Sequence, residues 1–363
     1  MEGIASHPVG GKTPLGDDPL FDGALQEMAE STYAWIQPNG GLGESNAGLI
    51  CGADASILID TLWDEVLTRR MLDAMAPARD GKPIDAVFNT HGDGDHWYGN
   101  GLLGGPTIHA TEAAKAHMED EPPSVLQRMR PVPKLAAAGG AVPLMPGGDK
   151  LRGLAHFGEM LSNYEFANLD PRLPNRTFTG KASIEVGGRT LELIEVGPAH
   201  SPGDAIGWLA DVRTVFSGDI VFSGVTPIMW AGPVENWIAA LERIIELNPE
   251  TIVPGHGPVC GLERVEELHA YWTYLARMVP EGTSGSAEEL ARELICAAEY
   301  RTSPWGDWLN PERSYVNIAI IARELDNGGG PLSVPDKLKL ISGMGAMREY
   351  LISLGARPSP PPG

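Results

Sequence analysis

The chain has 363 residues, enough to bury a large core as one big domain or two smaller ones. Its formal net charge is −21, with 48 acidic against 27 basic residues, so its surface repels nucleic acid and anionic membrane, and neither is an expected partner. Forty-five glycines and 31 prolines favour a turn-rich architecture over a helical bundle, and three scattered cysteines, Cys51, Cys260 and Cys296, imply no disulfide framework.

Residues 1–20 read as a polar, Gly/Pro-rich tail without the basic-then-apolar pattern of a leader. No run approaches the roughly 18–20 apolar residues that span a bilayer, so a cytoplasmic protein is expected. β-like text starts at Thr32, with strands at 32–37, 47–51 and 56–59, the last ending at Asp60. Val66, Leu67, Met71, Leu72 and Met75 recur at helical spacing, which predicts a helix over 63–76 that Pro77 and the Asp80-Gly81 turn stop. A short apolar strand at 84–89 delivers His91 just past its end. Another strand follows at 107–109, then a helix over 112–118.

Periodicity fails between about 120 and 180, where Pro, Gly, Met and Arg are frequent. A stretch of this length reads as an inserted lid or binding region. Strands at 183–186 and 190–196 flank the turn Gly187-Gly188, a hairpin signal. Further strands are expected at 205–210, 214–217 and 251–253. Between the last two lies a helix over 234–247, with Trp237, Ile238, Leu241, Ile244 and Ile245 on one face. Beyond Gly261 only helices fit, at about 261–279, 286–301, 312–326 and 334–354, before a proline-rich tail over 357–363. The expected organisation is one mixed domain over 21–260 and a helical region over 261–356. That helical region is read as core, as the surface of a homodimer, or as a cap over the site.

Chemistry concentrates at strand ends. Thr90-His91-Gly92-Asp93-Gly94-Asp95-His96 packs four potential ligands into one turn, and its two glycines let the loop curl around a cation. His200 (in Gly197-Pro198-Ala199-His200), Asp219 (in Phe216-Ser217-Gly218-Asp219) and His256 (in Pro254-Gly255-His256-Gly257) each follow an apolar strand. Imidazole and carboxylate without thiolate suit zinc, iron or manganese. A carboxylate between two cations can bridge them, the role expected of Asp219.

This order resembles the metallo-β-lactamase superfamily, whose signature is His-x-His-x-Asp-His followed by a lone His, a lone Asp and a final His. The match runs from about residue 32 to 260, and Asp60 matches the family's structural aspartate. The resemblance implies an αββα sandwich, two mixed sheets face to face with helices outside. It implies one divalent ion on His91, Asp93 and His200, a second on Asp95, His96 and His256, and Asp219 between them. It also implies a metal-bound hydroxide, oriented by Asp95, that attacks an acyl carbonyl of a small, fairly apolar substrate. A thioester or ester comes first, then a lactone or β-lactam.

Asp93 departs from the signature, which has histidine there. A carboxylate is the harder donor and favours iron or manganese over zinc at that position. Flavodiiron proteins carry a carboxylate at this place too, but no flavodoxin-like domain follows here. The run Gly94 to Asn100 is also similar to that of thioesterase/cyclases of aromatic polyketide pathways, as is, more faintly, the stretch Asn310-Pro311-Glu312-Arg313. Hydrolase is the first reading. A di-iron redox enzyme on the same fold, or a non-catalytic metal-binding member, is the alternative.

His109, His117, His156 and His269 lack ligand-like spacing and are read as surface or core residues, with His156 the one of them placed to touch substrate. Tyr98 could donate a proton to a leaving group or pack beneath the metal loop. Trp97, Trp230 and Trp237 could wall a pocket, although the helical position of Trp237 points to the core. Gly40-Gly41-Leu42-Gly43 lacks the Lys-Ser/Thr of a phosphate loop and is not read as one.

Overall fold

The computed structural model describes residues 19–355 except 22, 130–157, 159, 168 and 284, and leaves aside the side chains of 128 and 129. Strands β1 (Ala24–Ala29), β2 (Thr32–Ile36), β3 (Ala47–Cys51), β4 (Ser56–Ile59), β5 (Ile84–Phe88), β6 (Thr107–Thr111) and β7 (Arg176–Phe178) form one sheet in that spatial order. Strands β8 (Lys181–Val186), β9 (Arg189–Glu195), β10 (Ala205–Leu209), β11 (Thr214–Phe222) and β12 (Thr251–His256) form the second. Both sheets are mixed: β4 to β7 pair parallel, as do β11 and β12, and the remaining pairs are antiparallel.

Alternation along each strand builds the layers. Ala34, Ile36, Ile57, Ile59, Ala86 and Phe88 turn inward and meet Leu191, Leu193, Ala205, Leu209, Phe216 and Val253 of the second sheet. The residues between them face out. Trp35, Leu58 and Val87 pack under Met71 and Met75 of helix α1 (Glu65–Arg79). Ile206, Trp208, Val215 and Ile252 pack under α4 (Val234–Leu247) and α5 (Leu262–Met278). This is the αββα sandwich. Helices α2 (Glu112–Asp120) and α3 (Pro123–Met129) follow β6. Helices α6 (Ala287–Cys296), α7 (Ala298–Thr302), α8 (Arg313–Asn327) and α9 (Val334–Ser353) close the chain and extend the outer core of the second sheet.

Four sequence expectations change. Helix α1 runs through Pro77 and ends only where Asp80 turns left-handed. A proline forfeits one amide bond while its φ remains helical, and near the last turn little else is lost. Ala297 is extended and breaks the helix expected over 286–301 into α6 and α7. Strand β11 continues past 217 to Phe222, which carries Asp219 inside the sheet. Residues 176–178, read with the insertion, pair with β6 as the short edge strand β7. Strand β1, unassigned in the sequence, is an edge strand with polar Gln26 and Glu27 at its centre. No helix among the described residues is long and apolar enough to cross a membrane.

Candidate metal centre

Parallel pairing aligns the carboxyl ends of neighbouring strands, and that is where the polar groups gather. β4 and β5 end side by side, with Ile59 opposite Phe88, so Asp60 meets Thr90. β11 and β12 pair Phe222 with His256, whose rings stack at 5.1 Å and 3°. The 196–204 loop after β9 brings in His200, and the turn after β5 brings His91, Asp93, Asp95 and His96.

All seven side chains singled out in the sequence converge. His91, Asp93 and His200 form one group able to hold a cation. Asp95, His96 and His256 form another, and His91, His96 and Asp219 a third, with ligand atoms within 4.8 Å in each. Asp219 is central. Its Oδ1 lies 3.2 Å from His96 Nε2, and its Oδ2 lies 3.3 Å from His200 Nε2, 3.4 Å from His256 Nε2 and 4.0 Å from His91 Nε2. Asp93 Oδ2 is 3.1 Å from His200 Nε2, and Asp95 Oδ2 is 3.5 Å from His256 Nε2.

A metal fits this set on the evidence of orphaned atoms. His91 Nε2, His96 Nε2 and Asp219 Oδ1 are buried without a hydrogen-bond partner, although they face one another. Buried polar groups normally find partners, and a ring of imidazole and carboxylate atoms facing one another is what a cation satisfies. The glycines make room. A Cβ on Gly255 would lie 1.9 Å from Asp219 Oδ1, and one on Gly94 would lie 2.4 Å from the Tyr98 ring.

The groups behind the ligands fix which ring nitrogen faces in. Asp60, left-handed at φ 57°, accepts from Thr90 N and Thr90 Oγ1 at 2.8 Å and from His96 Nδ1 at 2.9 Å. Thr90 Oγ1 in turn lies 2.9 Å from His91 Nδ1. His200 Nδ1 donates to the Ile228 carbonyl at 2.7 Å. In all three histidines Nε2 is thereby left to the centre, the arrangement by which metal-ligand histidines are oriented.

Electrostatics divides the cluster. Burial opposes charge on His91, His96 and His200, but Asp219, Asp95 and Asp60 outweigh it at His96, which is raised well above an ordinary histidine. Asp219 and Asp93 do the same at His200, raised to about 10. His91 is held low by burial and by the neighbouring His96 charge. Burial pushes Asp93 up, but its hydrogen bond to His200 and the surrounding imidazoles hold it below the usual carboxylate range.

His117, read from the sequence as a bystander, borders the site. Its Nδ1 is 3.7 Å from Asp93 Oδ1 and lacks a hydrogen bond, while its Nε2 is 3.5 Å from Glu121 Oε1. Lys337 of α9 contacts that same carboxylate. Its spacing from the ligand turn gave no signal, because α2 reaches the turn only through tertiary packing. His117→Ala is expected to weaken one bound cation roughly tenfold, the loss common for a group behind a ligand, and to leave the other unchanged. Competition titration with a metal-binding dye measures both steps.

Other expectations resolve as packing. Tyr98 is buried, and its hydroxyl donates to the Glu121 carbonyl at 3.0 Å. Trp97 supports the ligand turn through Nε1 to the Gly92 carbonyl at 3.0 Å, and Trp237 lies in the outer core, edge-on to His200. Tyr164 and Phe166, from the segment read as a lid, pack on Trp63 behind the turn. His109 is held low, at about 4, by burial and Arg176, and His269 sits near Glu242 on the surface. His156 lies outside the described residues.

The chain is similar to known proteins over part of its length. It is 28% identical over 148 residues to a beta-lactamase-like protein 2 homolog of Caenorhabditis elegans, covering 40% of this chain and 48% of that one. It is 29% identical over 127 residues to the human acyl-coenzyme A thioesterase MBLAC2, covering 33% and 45%. The chain thus spans about half the length of these relatives. Among solved structures, the sec-alkylsulfatase Pisa1 from Pseudomonas sp. superposes with a TM-score of 0.61 at 18% identity, over 92% of this chain and 57% of that one, a likeness of fold. The family model of the metallo-beta-lactamase superfamily matches residues 40–256, from the Gly40 loop to the last histidine of the centre, and the chain belongs to that superfamily.

Proposed function

We propose that this protein is a dinuclear metal hydrolase that cleaves a thioester of a small, fairly apolar organic acid. The observation that carries the reading is the convergence of four imidazoles and three carboxylates, among which the buried His91 Nε2, His96 Nε2 and Asp219 Oδ1 lack hydrogen-bond partners. His91, Asp93 and His200 would hold one divalent ion and Asp95, His96 and His256 the other, with Asp219 between. Cations there would lower the pKa of a water and polarise the acyl carbonyl. Asp95 accepts a hydrogen bond from the attacking water and orients it. Its carboxylate is more exposed than the imidazoles beside it, so it meets the substrate side of the centre. Zinc suits the Asp95 set, and the carboxylate Asp93 makes the other set the better place for iron or manganese.

The leaving group separates the acyl substrates. An alkoxide or amide nitrogen needs a proton as it departs, whereas a thiol titrates near 8.5 and leaves as thiolate. Tyr98, the acid the sequence offered, is committed to a carbonyl and is raised by burial and by Glu121. That favours thioester over ester or lactone, in keeping with the thioesterase among the relatives. Protein loaded with metal is expected to hold roughly two ions per chain. It is also expected to hydrolyse medium-chain acyl-CoA with a higher kcat/KM than matched esters, lactones or β-lactams, and to lose activity to a chelator. Oxygen consumption by an iron-loaded chain without hydrolysis would establish the redox alternative, and a metal-loaded chain that neither hydrolyses these substrates nor consumes oxygen would establish the non-catalytic one.

A further inference from the structure

The matched family segment ends at His256, yet helix α8, well beyond it, grips the loop that aims His200. The loop is residues 223–231. His200 Nδ1 donates to the Ile228 carbonyl at 2.7 Å, and the His200 carbonyl receives the amides of Trp230 at 2.8 Å and Ala231 at 3.2 Å. Ring and backbone of this histidine thus both rest on the loop. The loop rests on α8. Asn317, fully buried, accepts from Met229 N at 2.8 Å and donates to the Pro227 carbonyl at 2.9 Å, so its amide straddles Ile228. Four residues earlier, Arg313 donates to the Thr226 carbonyl at 3.1 Å. Leu309 adds two backbone bonds, to Gly224 and from Thr226. A side-chain amide offers a donor and an acceptor from one planar, uncharged group, which is what a clip across a single residue requires.

We propose that Asn317 is a positioning residue of the metal centre. By fixing the Ile228 carbonyl from α8, it keeps the proton of His200 on Nδ1 and presents Nε2 to the cation. The helical region thereby becomes part of the centre and not an appendage. The inference rests on the reading of His200 as a ligand. A freed Ile228 carbonyl would let the imidazole take its other tautomer or rotate, and the bonds in question are the ones that flank that carbonyl.

Zn²⁺ titration of the full chain against a competing chelator dye tests this. Tyr271→Phe serves as the control, because Tyr271 Oη is the third partner of the Asn317 amide, at 2.8 Å, and touches neither prong of the clip. Asn317→Ala is expected to weaken one zinc step by roughly 10- to 100-fold. Tyr271→Phe is expected to lower Tm with zinc affinity within about twofold of the parent. Asn317→Asp keeps the acceptor for Met229 and loses the donor to Pro227, so it should fall between, and it decides the matter if the alanine variant does not fold. Ring ¹⁵N shifts of the zinc-loaded chain should report Nδ1–H and a metal-bound Nε2 at His200 in the parent, and loss of that pattern in Asn317→Asp. Parent-like zinc binding by the Asn317 variants, or equal losses in Tyr271→Phe, would overturn the proposal. Parent-like binding by His200→Ala would overturn the ligand reading beneath it, so the two failures are distinguishable.

Discussion

Replacing Asp219 by alanine is expected to abolish hydrolysis, with kcat/KM falling on the order of a thousandfold as an electrostatic contribution of several kcal/mol is removed. No other side chain of the centre has carboxylate oxygens within 4.0 Å of all four imidazoles. Burial pushes the Asp219 carboxyl up, and the charges of His256, His96 and His200 outweigh that and hold it far below the ordinary range. Without it the rings lose the charge that gathers them, and two cations lose the anion between them. Asparagine at the same position keeps the shape and removes the charge, so it separates packing from electrostatics. Asp219→Asn should fold, bind fewer ions than the parent and lose the rise in Tm that added zinc gives the parent. Metal content and melting curves with and without zinc measure this. Retention of both ions with activity within tenfold of the parent would remove Asp219 from the bridging position.

Both the legible and the illegible parts of this molecule have physical causes. Strands β3 and β4 and helix α4 were bounded correctly, because short, fully buried runs between turn residues in the first two and a 3.6-residue apolar stripe in the third leave little freedom of reading. The seven polar groups of the centre were legible because a cation demands imidazole and carboxylate, and strand ends supply them in fixed order. The edge strands β1 and β7 were not legible. One carries polar residues at its centre, and the other has only three residues, so neither shows a period. His117 and Asn317 were out of reach for a different reason. Each acts through a contact made only when α2 or α8 packs on a distant loop, and nothing in the local text of either helix distinguishes them from ordinary helical residues. Tyr164 and Phe166, from the stretch read as an insertion, are core behind the ligand turn.

Asp60→Asn is expected to disarm the centre while leaving the fold in place, although Asp60 is not a ligand. One buried carboxylate sets the protons of two histidines. His96 Nδ1 donates to Oδ2 directly at 2.9 Å. Thr90 donates its hydroxyl to the same oxygen at 2.8 Å, which leaves that hydroxyl to accept from His91 Nδ1 at 2.9 Å. With a cation bound, both rings therefore keep a proton on Nδ1 and offer Nε2 inward. Asparagine can still accept from the Thr90 amide, but an NH₂ group takes the place of Oδ2 and donates where the carboxylate accepted. The Thr90 hydroxyl must reverse, and both imidazoles are driven toward the tautomer with the proton on Nε2, which cannot bind a cation. A loss of roughly 100-fold in metal affinity, at the upper end for a group behind a ligand, should appear at both steps, because each proposed ion has one of these histidines. Stability of the metal-free chain should fall by only about 1–3 kcal/mol, the cost of mispaired buried hydrogen bonds. Asp60→Ala leaves the same partners unpaired without imposing the wrong tautomer. If tautomer control is the mechanism, Asp60→Asn will bind metal more weakly than Asp60→Ala despite being the better packed of the two. The opposite order in a zinc titration would mean that Asp60 acts by packing alone.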